Sequence, residues 1–256
     1  MRPARFNIIR ALVPEADLLV DYMTVRPQGN RAFLVSDTIR RIKAARVWDK
    51  LDLLYVMAAA DSQAAGLNWK SPGTFALSVS GGTPTFTADR GYTGNGASSL
   101  TTGWDAATNK ISYAQDSAHI GGRSRTSATT ATGWMGGVGT NRINLCSRHS
   151  TGNATGRLNS GTNMFANASA DGSGLWVYNR SVSTTVVMYR NGAAFGVAET
   201  ATSAALDTSD IGLLRDNGGQ TVVELASAFL GGSLSAGEIT ALYDAELAYM
   251  TAVGAA

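Results

Sequence analysis

GGSLSAGEITALYDAEL, residues 231–247, follows a long series of strand-like segments and has the pattern of a well-capped helix. Ser235 and Glu238 have the spacing of a capping box, in which each side chain accepts the backbone N–H of the other residue. Ile239, Leu242 and Tyr243 follow at helical spacing. We therefore predict a helix of about four turns that closes the chain and seals one edge of a β-rich fold.

The segments before this helix alternate β-prone runs with glycine-rich turns. In STTVVMYRNGAAFG (183–196) the Asn191-Gly192 step predicts a hairpin, because both residues tolerate positive φ. In QTVVELASAFLGG (220–232) we expect Val223, Leu225 and Phe229 to share one face. Other strands are predicted at LDLLYVMAAA (51–60), around Phe86, over 111–115 with a stop at Gly121-Gly122, over 142–148, at GLWVYNRS (174–181) and at DIGLLRD (210–216).

The first fifty residues have a different character. Residues 1–35 lack clear periodicity and contain three prolines, so we interpret them as an arm. Ser36 has the position of an N-cap for a helix near 37–49. The fold class is thus all-β: an antiparallel two-sheet jelly-roll sandwich with an N-terminal arm and helix and a C-terminal capping helix. We predict an attachment segment at 1–49 and the sandwich at 50–256.

Charge is distributed unevenly along the chain. Residues 1–50 contain ten Lys or Arg against five Asp or Glu, whereas the remaining residues contain eleven against fourteen. This asymmetry indicates either a solvated charged helix or a segment that docks on a protein surface, with Arg2, Arg5 and Arg10 as candidate attachment residues. Without interleaved aromatic residues it is weak evidence for nucleic acid, and we expect no nucleic-acid partner.

The N-terminal segment and the cysteine content limit the possible targeting signals and disulfides. Arg10, Pro14, Glu15 and Asp17 interrupt the apolar patch near the N-terminus, so we expect no signal peptide and no membrane insertion. Cys146 is the one cysteine, which excludes an intramolecular disulfide.

The segments at 111–245 resemble the concanavalin A-like lectin/glucanase superfamily in its laminin-G-like or pentraxin-like jelly-roll form. The matching pieces are ISYAQDSAHIG, VVMYRNGAAFG, DIGLLRDNGG and ASAFLGGSLSAGEITALYDA. Residues 44–96, from AARVWDKLDLLY through LNW to PTFTADRGYTGNG, resemble the opening of jelly-roll proteins of tailed-phage and prophage structural modules. The resemblance implies a fibre, appendage or decoration protein of the virion, assembled in the host cytoplasm as a homo-oligomer and bound to other virion proteins through its arm.

The glucanase members of this superfamily have a catalytic acidic cluster, and its laminin-G-like and pentraxin-like members often bind calcium, but neither pattern is present in this sequence. The five glutamates, at 15, 199, 224, 238 and 246, do not form the acidic E.D..E cluster of the glucanase members. His119 and His149 have no metal-ligand spacing, and Asp207, Asp210 and Asp216 lack the pattern of a calcium loop. We therefore expect a protein that is not an enzyme and that needs no metal or other cofactor.

Binding of a host-surface glycan is the alternative function, and degradation of a polysaccharide by an enzyme is a third, which the missing acidic cluster disfavours. Tyr92, Trp104 and Trp134 lie beside glycine turns, where aromatic rings can stack on sugar faces. These residues are the candidate carbohydrate contacts. The competing interpretation is that the tryptophans close the ends of the sandwich core.

Overall fold

Two antiparallel β-sheets pack face to face in the computed structural model of the protein, which describes residues 11–217 and 219–256. Sheet A has eight strands and sheet B has seven. The predicted antiparallel sandwich is therefore confirmed. The described helices are α1 (Pro14–Tyr22), α2 (Arg31–Ala44), α3 (Ser62–Ala65) and α4 (Ala236–Val253), with a 3-10 turn at Trp48–Lys50.

The described residues form seventeen strands. They are β1 (Leu51–Val56), β2 (Ser78–Gly81), β3 (Thr85–Thr87), β4 (Gly91–Thr93), β5 (Ser98–Asp105), β6 (Ala118–Ser124), β7 (Met135–Gly136), β8 (Asn144–Cys146), β9 (Asn153–Arg157), β10 (Met164–Ala168), β11 (Gly174–Val182), β12 (Thr185–Arg190), β13 (Ala193–Thr200), β14 (Asp210–Leu213), β15 (Arg215–Asp216), β16 (Gly219–Gln220) and β17 (Glu224–Gly231). Sheet A runs β13-β12-β11-β6-β17-β4-β3, with β1 also paired to β17, and sheet B runs β10-β9-β8-β7-β14-β5-β2. β15 and β16 form a separate ribbon.

Two hydrophobic cores hold these layers together. The inner core lies between the sheets and includes Trp176, Tyr178 and Leu145. The second core lies between the outer face of sheet A and the helices, where Phe229 of β17 packs with Leu242 of α4. Helices α1, α2 and α4 all contribute to this second core, so these three helices cover the outer face of sheet A.

The hairpin and the closing helix are confirmed. Asn191 and Gly192 adopt φ values of 50° and 79°, and they join β12 to β13. Ser235 caps α4 through both hydrogen bonds of the capping box with Glu238. The helix lies on the outer face of sheet A, however, and does not seal an edge of the sandwich. Its buried side chains, Ile239 and Leu242 among them, belong to the second core, and Tyr243 is partly buried against it.

Part of the segment predicted to be an arm forms helices that pack on the sandwich. Residues 14–22 form α1, which begins at Pro14, a residue that suits the first turn of a helix. α2 begins at Arg31, before the predicted N-cap Ser36, which lies inside the helix and accepts a hydrogen bond from Val13 N. The role of 1–49 in attachment stays a prediction, and Arg2, Arg5 and Arg10 lie outside the described residues.

Two strand predictions were wrong for identifiable reasons. The strand expected over 111–115 begins instead at Ala118 and passes through Gly121 and Gly122, because those glycines allow the close approach of β11 and β17. In β17 a bulge between Leu225 and Ser227 reverses the alternation. Leu225 therefore faces the inner core while Phe229 faces the helices.

None of the described helices is long and apolar enough to span a bilayer.

Candidate functional site

A polar groove with a cavity of about 120 Å³ lies on the outer face of sheet B. It is formed by β8, β9, β10 and the loops beside them. Alternation along the strands explains its location, since Leu145 and Ala154 point into the inner core while the neighbouring Asn144 and Thr155 point outward. The groove is lined by Ala131, Thr132, Gly133, Arg142, Asn144, His149, Thr155, Asn163, Phe165 and Asp216.

Phe165 and His149 form the aromatic wall of the groove. Their ring centroids are 6.0 Å apart with an interplanar angle of 75°. Phe165 leaves 42% of its side chain exposed. Both His149 nitrogens are engaged by backbone groups, since Nδ1 accepts from Thr151 N at 3.2 Å and Nε2 lies 3.2 Å from the carbonyl oxygen of Ala131, in the loop before β7. His149 therefore presents ring surface to the groove, while its polar atoms join two loops.

Asp216 anchors the polar floor. One carboxylate oxygen accepts the backbone N–H of Gly133 at 2.6 Å and the side-chain amide of Asn144 at 3.0 Å. Residue 133 must be glycine, because a Cβ there would lie 2.8 Å from the Asp216 carboxylate and 2.9 Å from Leu145 O. The floor is thus a close-fitting network that joins the loop before β7, strand β8 and the β15 ribbon.

Two lining residues have buried polar atoms without a partner in the described part of the chain. They are Asn144 Oδ1, an acceptor, and Arg142 Nε, a donor. Asn144 is only 8% exposed, so its free acceptor is shielded from bulk water. Buried polar atoms are nearly always paired, so these two atoms are exceptions in the wall of the groove, and neither has surface that a ligand could reach directly.

Two arginines give the groove a positive end. Arg157 lies directly opposite Asn144 in the β8–β9 pair, and it donates to Asn163 Oδ1 at 2.7 Å. Desolvation lowers the pKa of Arg157, and the charge of nearby Arg142 lowers it further, whereas Asp216 raises it. Arg157 therefore lies within electrostatic range of both the Arg142 guanidinium group and the Asp216 carboxylate.

Solved structures share this architecture at low sequence identity. Domain 4 of AbnA, an extracellular GH43 arabinanase from Geobacillus stearothermophilus solved with arabinotriose, aligns with a TM-score of 0.55 and 14% identity over 75% of this chain and 98% of that chain. Trypanosoma rangeli sialidase aligns with a TM-score of 0.54 and 12% identity over 83% of this chain and 38% of its own. The binding domain of botulinum neurotoxin serotype D aligns with a TM-score of 0.50 and 11% identity over 77% of this chain and 52% of that chain.

The chain has the two-sheet jelly-roll fold of these solved structures. No protein-family model matches the sequence, and no curated protein matches it significantly. The likeness to solved structures, all of them distant in sequence, therefore shows the jelly roll alone.

The structure places two of the predicted sugar contacts inside the jelly roll. Trp104 and Trp134 are each 1% exposed and belong to the inner core. Their indole N–H groups donate to Asn109 O at 3.2 Å and to Ser147 Oγ at 3.1 Å. Stacking on a sugar needs an open ring face, so both tryptophans are corrected to core residues.

Tyr92 lies apart from both tryptophans and from the groove. It is on β4 of sheet A, half-buried against Phe86 with ring centroids 5.2 Å apart. Its hydroxyl donates to Ser62 O at 3.1 Å, and burial raises its pKa. The three predicted contacts therefore do not form one site, and glycan contact at Tyr92 stays a prediction.

Sequence reasoning missed the residues that do converge. Arg142 and Asn144 alternate with Ile143 and Leu145, a pattern that predicts a polar outer face, but Phe165 carries no local signal. Its approach to His149 depends on the pairing of β9 with β10, which adjoining sequence does not reveal. Among the described residues, no group of three or more His, Cys, Asp or Glu side chains is placed to hold a metal ion.

Proposed function

We propose that this jelly roll is a carbohydrate-binding module that holds a surface glycan in the groove of sheet B. The observation that carries the proposal is the exposed Phe165 ring in a groove whose other lining side chains are mostly polar. A sugar has an apolar face for the ring and hydroxyls for the polar side chains. The arabinotriose complex of the structurally similar arabinanase domain supports the same class of ligand.

Binding without catalysis is part of the proposal. Asp216 is the one carboxylate among the described residues that line the groove. Glycoside hydrolysis ordinarily needs two carboxyl groups, about 5–9 Å apart on either side of the scissile bond. The second carboxyl group is not supplied by the lining residues, which favours a binding role.

The test is a glycan array of bacterial surface polysaccharides, followed by calorimetry on the best ligand. Phe165→Ala should weaken binding about tenfold or more, because it removes the stacking surface. Phe33→Ala is the matched control, since Phe33 on α2 is 41% exposed and lies on the opposite layer. Equal affinities of the two variants, or no glycan bound by the wild-type protein, would contradict the proposal.

Display on a tailed-phage particle is the second candidate, and its support is the resemblance at residues 44–96. We propose that the N-terminal segment docks the jelly roll on other virion proteins and that the chain acts as a homo-oligomer. The appropriate truncation removes residues 1–10 only, because Ala16, Leu19 and Val35 are buried in the second core. Loss of particle incorporation with an unchanged melting temperature is expected. Unchanged incorporation would contradict this role for the segment.

A further inference from the structure

The positive end of the groove has a charge that the described residues do not neutralise. Arg142 forms no ion pair with any described residue. Its terminal nitrogens instead donate to the side-chain oxygen of Asn217, at 2.6 and 3.2 Å, when that amide is turned so that its nitrogen donates to Val138 O at 3.0 Å. A neutral amide therefore orients the guanidinium group without cancelling its charge.

Arg180, which is fully buried, is likewise held by neutral groups, the carbonyl oxygens of Leu158, Val182 and Ser183, but two other largely buried arginines have carboxylate partners. Arg123 is paired with Glu246 through three hydrogen bonds of 2.6–3.0 Å, and Arg215 is paired with Asp210 at 3.1 Å. Arg142 is thus an oriented guanidinium group that lacks the carboxylate those arginines have. Each of its terminal nitrogens uses one N–H for Asn217, so each keeps a second N–H for a ligand.

Arg157 strengthens the positive field beside it. Its Nε donates to Asn163 Oδ1 at 2.7 Å and its Nη1 donates to Thr140 O at 3.3 Å, both neutral partners. A guanidinium group stays charged at all physiological pH values. Two cations therefore lie near a single groove carboxylate, that of Asp216.

Asp216 offsets part of this field, since its negative charge favours the charged form of Arg157. The Asp216 oxygen described above is directed at Gly133 N and Asn144 Nδ2, which are its hydrogen-bond donors. Those donors belong to the floor, whereas Arg142 lies in the loop before β8 and Arg157 lies on β9, opposite Asn144.

We propose that the groove selects an acidic glycan, in which a carboxylate or phosphate on one sugar lies against Arg142 while a neighbouring sugar ring stacks on Phe165. This inference rests on the proposed glycan-binding function and adds the chemical class of the ligand to it. The guanidinium fork matches the oxygens of carboxylate and phosphate alike, and a charge-assisted hydrogen bond is about twice as strong as a neutral one. Neutral glycans would leave the Arg142 charge uncompensated in a partly desolvated site.

The test compares ligands that differ only in charge. One arm uses uronic-acid polysaccharides, each measured beside its carboxyl-reduced form, in which the carboxylate has become a primary alcohol. A second arm uses a glycerol-phosphate teichoic polymer, and so separates carboxylate from phosphate as the source of the anion. Calorimetry at two salt concentrations gives affinities for the wild-type protein, Arg142→Gln, Phe165→Ala and the control Arg41→Gln, whose target is an exposed arginine on α2.

We expect the reduced polysaccharide to bind about tenfold more weakly or worse, in line with the loss of one charged hydrogen bond. Arg142→Gln should abolish the preference for the acidic form, raised salt should weaken it, and Arg41→Gln should retain it. Equal affinity for the charged and reduced forms, with Phe165→Ala weakening both, would overturn the acidic selectivity and leave the proposed function standing. Binding of neither form nor of any neutral glycan would overturn both.

Discussion

The carboxylate of Glu199 accepts the backbone N–H of Phe165 at 2.8 Å. Its other oxygen accepts from Ala166 N at 3.1 Å and from the Asn167 side chain at 3.0 Å. Glu199 lies on β13, the edge strand of sheet A, whereas Phe165 lies on β10, the edge strand of sheet B. One buried carboxylate thus joins the two sheet edges and fixes the backbone that carries the aromatic wall.

Glu199→Gln should therefore damage both stability and binding. The amide retains the size of the side chain but places an N–H where an acceptor is required, so we expect unfolding to become easier by about 2 kcal/mol. Glycan affinity should fall several-fold because Phe165 loses its support. Urea denaturation and calorimetry measure the two effects.

Glu15→Gln is the control for this substitution. Glu15 pairs with Lys43 near the protein surface, and such pairs contribute less than about 1 kcal/mol. Indistinguishable urea midpoints for the two variants would show that Glu199 is not a support of β10.

The Asn191-Gly192 turn gives a second prediction. Gly192 has a φ of 79°, and a Cβ at this position would lie 3.0 Å from the Tyr243 ring and 3.3 Å from Thr240. Gly192→Ala should destabilise the protein by about 1–2 kcal/mol, because it adds both a backbone penalty and a contact that is too short. Gly237→Ala, in the first turn of α4 with open space around its Cβ position, should be neutral or stabilising. Equal thermal denaturation curves for the two variants would contradict this explanation.

The hairpin and α4 could be predicted from sequence because their signals are local. Asn191-Gly192 specifies its own turn, and Ser235 with Glu238 specifies its own cap. The placement of α4 on the outer face of sheet A could not be predicted, since it depends on side chains of β11 and β17. The face of β17 on which Phe229 lies could not be predicted either, because the bulge that reverses the alternation arises from the pairing of β17 with β6.

The burial of His119 predicts that the free energy of unfolding depends on pH. His119 is fully buried, and burial lowers its pKa to about 4, although a hydrogen bond to Gly232 O at 2.6 Å opposes this shift. In the unfolded chain its pKa is about 6.5. The unfolded state therefore binds the proton first as pH falls, so stability is complete above about pH 6.5 and falls by about 3 kcal/mol as the pH decreases to about 4.

Urea denaturation across this pH range checks the prediction. His119→Asn keeps a donor toward Gly232 and should flatten the dependence between pH 6.5 and 4, whatever its effect on total stability. His149→Gln changes the exposed histidine of the groove and should retain the slope. A slope that survives in His119→Asn would assign the pH dependence to other groups.

The groove was less predictable than the fold. The alternation of Arg142 and Asn144 with Ile143 and Leu145 indicates a polar strand face. The sugar contacts were nevertheless predicted at tryptophans beside glycine turns, because exposed aromatic rings in loops can stack on sugars. Trp104 and Trp134 fill the inner core because their large apolar surface is best buried there, with each indole N–H given an acceptor. Phe165 and Asp216 reach the groove from strands distant in sequence, so only the folded chain brings them together.

We propose that a glycan binds on the outer face of sheet B. Mapping of ¹H–¹⁵N NMR shifts during titration with the best glycan from the array tests it most directly. We predict the largest changes at the backbone amides of Gly133 and Phe165 and at the side-chain amide of Asn144, with the Tyr92 amide and the Trp104 indole unchanged. Largest changes at Tyr92, or on the helices that cover sheet A, would contradict the claim.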